Sequence, residues 1–229
     1  MMTLHCTGGH LGDALAFRKK WISPKLQTLV RPGFEPAVAL AWTAQLLSAL
    51  RFLHERRVIH RSVRPESCLL DNPRIIESNL VLGNYSLSSR LFENNAMMDR
   101  PEEPIKGSAA YTAPELKRQA MSSTDRPLEI KSDCWSAGCI LFVTLTGRPA
   151  FNYSEFPVQA EKGKYVVPKY VPKDVTDFLA TLLEVDYNKR ADAASAYEAA
   201  QALAGRYQRE DDDEEDPESP KSLGGVDLS

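Results

Sequence analysis

The sequence predicts a mainly α fold carrying about two short β-strands, and three observations carry that prediction. First, Cys134 to Thr146 is apolar or small on nearly every helical face, as in a helix buried on all sides. Second, Val38, Trp42, Gln45, Leu46, Ala49, Leu50 and Leu53 recur every three or four residues, which describes a long amphipathic helix. Third, two further helical stretches, Asp174 to Glu184 and Ala191 to Arg206, follow late in the chain. The thirteen residues of the apolar run fall short of the roughly 20 that cross a bilayer. The buried core helix is therefore the reading, and no membrane association is expected.

In chain order, Met1 to Asp13 opens with a short apolar piece and the pair Gly8-Gly9, and no basic region leads into an apolar secretory core. Leu11, Ala14, Leu15 and Phe17 then stand at helical spacing. Trp21 to Pro36 holds three prolines and a glycine and predicts an irregular connection. Pro36 suits the first turn of the long helix, whose Arg51 and Glu55 are expected to face water.

Pro65 rules out a continuous helix through Val58 to Asp71. Leu69-Leu70 and Leu80-Val81-Leu82 predict two brief strands joined by the polar connection Asp71 to Asn79. Asn84 to Glu115, rich in Ser, Asn, Pro and acids, predicts a long loop, and loops of that length are usually functional or disordered. Ser132 or Asp133 is expected to cap the apolar helix, which Gly147 and Pro149 then end. Val166 to Pro172 is expected to be an extended link.

The 229 residues allow one substantial domain with a proper core. From Arg209 onward nine acids oppose two bases, and removing that net of -7 from the total of -3 leaves +4 on the body. So weak a positive balance, without a basic-aromatic stripe, argues against nucleic acid. The acidic end is expected to be disordered, with Ser219, before Pro220, and Ser222 as phosphorylation candidates. Cys6, Cys68, Cys134 and Cys139 show no metal-ligand spacing, and the last two lie in the apolar helix as small hydrophobes. Reduced thiols, and so a cytoplasmic protein with the nucleus left open, are the expectation.

Five pieces in order give a family resemblance. His60-Arg61-Ser62-Val63-Arg64-Pro65-Glu66-Ser67 resembles the protein-kinase catalytic loop, H-R-D-L-x-x-x-N. Asn84-Tyr85-Ser86 stands at the place of D-F-G. Gly107-Ser108 through Ala113-Pro114-Glu115 resembles the end of an activation segment. Asp133-Cys134-Trp135-Ser136-Ala137-Gly138 resembles the start of the family's central helix, and Asp186 to Arg190 the motif before its last helices. Leu4 to Leu11 looks like the hinge between the lobes. The resemblance implies a protein-kinase-like C-terminal lobe over residues 1–207, beginning at the hinge without the small N-terminal lobe, and an acidic disordered tail over 208–229.

It further implies that Asp133 accepts hydrogen bonds from the backbone near His60 and Arg61, and that Glu115 pairs with Arg190, with Trp135 and Gly138 as structural neighbours. The chemistry reads differently. Phosphoryl transfer needs a carboxylate at the substrate hydroxyl and charged metal ligands; the matching positions hold Ser62, Ser67 and Asn84, while Arg64 replaces the usual lysine. Arg61 either engages a phosphorylated activation segment carrying Ser88, Ser89 and Ser108, or bonds backbone or water. Leu69 matches a vestigial adenine floor, expected to be partly uncovered with Val81, Leu82 and Tyr85.

The expectation is thus a catalytically inactive pseudokinase with no metal or cofactor, binding a protein partner such as an active kinase or a kinase substrate. The alternatives are a divergent or N-terminally truncated serine/threonine kinase using ATP and magnesium, and a non-functional kinase remnant.

Overall fold

The computed structural model describes residues 6–21, 32–90, 109–119, 130–151, 159–160 and 162–214. At its centre lies helix α4 (Ile130–Thr146), in which every residue from Ser132 to Thr146 is buried. Its serine and threonine hydroxyls are compatible with that environment because they bond back along the helix. Ser136, Thr144 and Thr146 donate to the carbonyls four residues earlier at 3.1, 2.8 and 2.8 Å.

The helix begins at Ile130, so Ser132 and Asp133 lie inside its first turn rather than capping it. The Asp133 carboxylate is directed at a distant loop instead of at its own helix end. The far end is as expected. Gly147 has φ +66°, and its N–H bonds the Val143 carbonyl at 2.8 Å. Another glycine lets the chain cross here: a Cβ on Gly33 would lie 2.2 Å from the Leu145 carbonyl oxygen.

Helix α2 (Pro36–Glu55) starts with proline in its first turn and buries ten side chains, including Trp42, Leu46, Leu47 and Leu50. By length and composition it could cross a membrane, but its apolar face packs on α4 and on the last helix, α6 (Ala193–Glu214). The Arg51–Glu55 pair (3.3 Å) points outward as expected. Phe52 does not follow the apolar stripe; it is exposed beneath the Arg56 guanidinium, 3.6 Å from the ring centroid. In α1 (Leu11–Trp21) Leu11 and Ala14 are buried, whereas Phe17, on the same predicted face, is exposed.

Two short antiparallel ladders flank the helices. Strands β2 (Cys68–Leu70) and β3 (Leu80–Leu82) pair Cys68 with Leu82 and Leu70 with Leu80. Their connection closes on itself, with Asn79 donating from its backbone and side-chain nitrogens to Asp71 at 2.8 and 3.0 Å. Gln45 of α2 accepts from the Leu80 N–H at 2.7 Å, fixing the ladder to the helix. The second ladder, β1 (Val58–Ile59) with β4 (Ser89–Arg90), was not expected. It places β4 inside the stretch predicted as one long loop.

The late helices shift in bounds. Helix α5 spans Lys173–Leu182, and α6 runs to Glu214, past the expected end at Arg206 and across the expected boundary at 207/208. Ser108, Ser219, Ser222 and Gly107 lie outside the described residues.

Candidate functional site

Strand β1 delivers the chain into the loop His60–Ser67, and β2 takes it away. What holds the loop is Asp133. Its Oδ2 accepts the His60 N–H at 2.8 Å, and its Oδ1 accepts the Arg61 N–H at 2.9 Å. A third donor, His54 Nε2 from the end of α2, reaches Oδ2 at 3.0 Å. The carboxylate is 1% exposed, and three donors from two other elements compensate its lost hydration. Arg61 has φ +65°, a left-handed conformation costing a non-glycine residue about 1–2 kcal/mol. Its bond to Asp133 helps hold it there. The backbone partners match the resemblance; His54 was missed, and only its position on the last turn of α2 could have signalled it.

The His60 ring is buried and fixed on both edges. Nε2 donates to the Gly83 carbonyl at 2.9 Å, while Nδ1 accepts the Ser62 N–H at 3.3 Å. That pair of roles requires the neutral Nε2–H tautomer. Burial pushes its pKa below the ordinary value of 6.5, against the opposing pull of the Asp133 charge. The Tyr85 ring packs edge-on against it at 5.1 Å.

Ser62 is 2% exposed, and its Oγ has no hydrogen-bond partner among the described residues. Ser67 is fully buried, and its Oγ donates across the loop to the Ser62 carbonyl at 2.5 Å. The Gly83 N–H donates to the Ser67 carbonyl at 2.8 Å, which brings Asn84 to the same end of the loop. Asn84 is exposed with φ +61°, and its Oδ1 accepts from Ser86 Oγ at 3.0 Å. Ser62 and Ser67 are joined across the loop and Asn84 follows Gly83 beside Ser67, so the three positions carry two hydroxyls and one amide. This donor set carries no negative charge and fits magnesium poorly. Among the described residues no group of three or more His, Cys, Asp or Glu side chains could hold a metal ion. Arg64 Nε lies 3.6 Å from the Glu66 carboxylate.

Arg61 Nη1 donates to Ser89 Oγ at 3.1 Å, and Ser88 Oγ donates to the His60 carbonyl at 3.4 Å. Ser89 is buried on β4. Leu69 and Val81 are half-buried on one face of the β2–β3 ladder, and Tyr85 is exposed. Leu82, expected on the same open surface, is buried. Strand alternation turns it inward with Leu80, Cys68 and Leu70. The segment before α1 runs beside β2, with the Gly8 N–H on the Leu70 carbonyl at 3.0 Å and the Leu70 N–H on the Gly9 carbonyl at 2.9 Å.

The second structural pair is also formed. Arg190 and Glu115, the latter on helix α3 (Pro114–Gln119), meet through both terminal guanidinium nitrogens, with Arg190 1% exposed. Lys131 Nζ, another residue missed in the sequence, caps the Arg190 carbonyl at 2.8 Å. Trp135 is fully buried, stacked on Phe151 at 5.3 Å and 9°, with the Arg190 guanidinium 5.1 Å from its ring. A Cβ on Gly138 would come within 2.9 Å of Leu182 and Leu183, so only glycine allows α4 and α5 this close.

Comparison with known proteins agrees with this geometry. The protein kinase domain model matches residues 5–201. Serine/threonine-protein kinase AtPK2/AtPK19 of Arabidopsis thaliana is 28% identical over 159 residues, covering 69% of this chain and 31% of its own length. Serine/threonine-protein kinase atg1 of Dictyostelium discoideum is 27% identical over 190 residues, covering 81% of this chain and 24% of its own. The kinase MST11 of Pyricularia oryzae is 28% identical over 168 residues, covering 69% of this chain and 17% of its own. The chain spans less than a third of the length of these relatives.

Proposed function

The chain belongs to the protein kinase domain family, and from that premise we propose that it is a catalytically inactive member, a pseudokinase acting as a protein-binding or regulatory module. One contrast carries the reading. The ties that shape the lobe, Asp133 to the catalytic loop and Glu115 to Arg190, are complete. The reactive positions within the same frame hold Ser62, Ser67 and Asn84.

Ser62 Oγ cannot accept a substrate proton near neutral pH as a carboxylate does. Ser67 already spends its hydroxyl on the loop backbone, and Asn84 is neutral. The loop is therefore held in shape without a base or charged metal ligand, and no bound metal or nucleotide is part of this proposal. The partner proposed is another protein, either an active kinase or a kinase substrate. The four free cysteines agree with a cytoplasmic setting.

The test is incubation of the purified chain with labelled ATP, magnesium and a general serine/threonine substrate, beside thermal denaturation with and without the nucleotide. No transfer and no rise in Tm are expected. Robust transfer that disappears in Ser62→Ala would overturn the reading in favour of a divergent serine/threonine kinase, in line with the activities printed for its relatives. Failure of the chain to melt cooperatively would instead point to a kinase remnant.

A further inference from the structure

Helix α1 turns Leu11 and Ala14 into the core. What it turns toward water is less ordinary. Asp13, Ala16, Phe17 and Lys20 follow one another at helical spacing and all four are exposed, Phe17 to 57%. Residues so spaced share one face of the helix, about two turns long. A face turned to solvent is usually polar throughout. This one carries a phenylalanine and an alanine at its middle, an acid at one end and a base at the other.

Both end charges can accept a further partner. Lys20 forms no ion pair among the described residues. Asp13 Oδ2 lies 3.3 Å from His10 Nε2, yet the Asp13 side chain stays 68% exposed.

The order of the four residues makes the face complementary to itself. Consider two copies of α1 packed antiparallel about a two-fold axis that crosses between residues 16 and 17. Asp13 then stands opposite Lys20 of the second copy, and Ala16 opposite Phe17 of the second copy. Each pairing occurs twice, as an isologous interface requires. The small Ala16 side chain leaves room for the opposing ring. Asp13 and Lys20 are about 10 Å apart along the axis, at about 1.5 Å per residue, so the ion pairs close both ends of the ring contact. A parallel pairing would instead set Asp13 on Asp13 and Lys20 on Lys20, and juxtaposed like charges oppose it.

We propose that two copies of this chain associate through the exposed face of α1, antiparallel and about a two-fold axis between residues 16 and 17. Two helical turns from each copy lie at the low end of interface sizes, so the dimer is weak and its population follows protein concentration. The Asp13–Lys20 pairs are exposed and salt-sensitive, and they set orientation more than affinity. The contact asks nothing of the catalytic loop, so it stands or falls separately from the lack of catalysis.

The test is sedimentation velocity of the whole chain from about 10 μM to about 1 mM, the range in which weak complexes titrate. Four variants accompany the parent: Phe17→Ser, Asp13→Lys, Lys20→Asp, and the exchange Asp13→Lys with Lys20→Asp. Unchanged melting of each checks the fold. The parent is expected to shift from monomer to dimer across the series. Phe17→Ser and each single charge reversal should weaken the dimer several-fold. The exchange should restore it, because position 13 again meets an opposite charge at position 20. An equimolar mixture of the two single reversals should form a mixed dimer more readily than either forms its own. A parent that stays monomeric throughout, or a dimer indifferent to Phe17→Ser and Lys20→Asp, would overturn the proposal. Single reversals that weaken the dimer without rescue by the exchange would overturn the antiparallel pairing. If loss of the His10 contact lowers the melting of the Asp13→Lys variants, Phe17→Ser and Lys20→Asp decide the matter alone.

Discussion

Arg190 closes on Glu115 with Nη1 2.5 Å from Oε1 and Nη2 2.9 Å from Oε2, a fork-to-fork pair joining residues 75 apart in sequence. Glu115→Gln leaves a buried guanidinium without its counter-charge and is expected to cost about 3–5 kcal/mol. Arg190→Lys keeps the charge but loses the planar fork, and should cost less. Urea denaturation midpoints check the order. Equal stability of Glu115→Gln and the parent would show that the pair contributes nothing.

Asp133→Asn replaces one acceptor oxygen with a donor where three donors converge. At least one of the His60, Arg61 and His54 N–H groups is then stranded, at an expected cost of about 2–3 kcal/mol. The effect should be local as well as global. Amide exchange at His60 and Arg61 should accelerate beyond the average of the chain, and uniform acceleration would contradict the pinning role.

His60 makes stability depend on pH in a defined direction. Its folded pKa lies below the ordinary 6.5, so between those values the unfolded chain binds a proton that the folded chain does not. Stability is therefore fully present above pH 6.5, falls as pH drops toward the folded pKa, and then levels off. His60→Gln should flatten that slope in urea titrations at pH 7.5, 6.5 and 5.5 (about one unit apart, the scale on which linkage acts). A parent that gains stability over this descent would refute the assignment.

The thiols should separate into two classes. Cys68, Cys134 and Cys139 are buried, and burial pushes all three pKa values upward, Cys68 to about 12. Cys6 alone is half-exposed. Titration with a chromogenic disulfide should modify Cys6 first and the other three only on unfolding.

Gly138→Ala puts a methyl within 2.9 Å of Leu182 and Leu183. Separating α4 from α5 to admit it should cost about 1–3 kcal/mol, visible as a lower Tm. A neutral result would mean that Leu183 can turn aside freely.

The central helix, the long helix α2 and the β2–β3 pair were legible because each is written in contiguous periodic residues: the all-apolar run after Asp133, the stripe from Val38 to Leu53, and the apolar pairs at 69–70 and 80–82. The order of five short motifs supplied the lobe. What could not be read was set by partners distant in sequence. Two residues of β1 meet two of β4 across the loop, too short for any period to register. His54 looks like a surface residue at a helix end until Asp133 is placed 79 positions later. Phe17 fits its helical stripe but lies outside the core, and no described element covers it. The acidic run discounted as coil continues α6 for two more turns, since charge alone does not stop a helix already anchored by packing.

The pairing of α2 with α6 has a consequence during synthesis. The ribosome finishes α2 at Glu55 but does not begin α6 until Ala193. At roughly 5–20 residues per second, the face meant for α6 waits about 7–28 s for its cover. A nascent chain with that face of α2 uncovered for the interval is a natural client for chaperones. Yield in the cell should accordingly follow translation speed and chaperone supply more closely than it follows the finished protein's melting point.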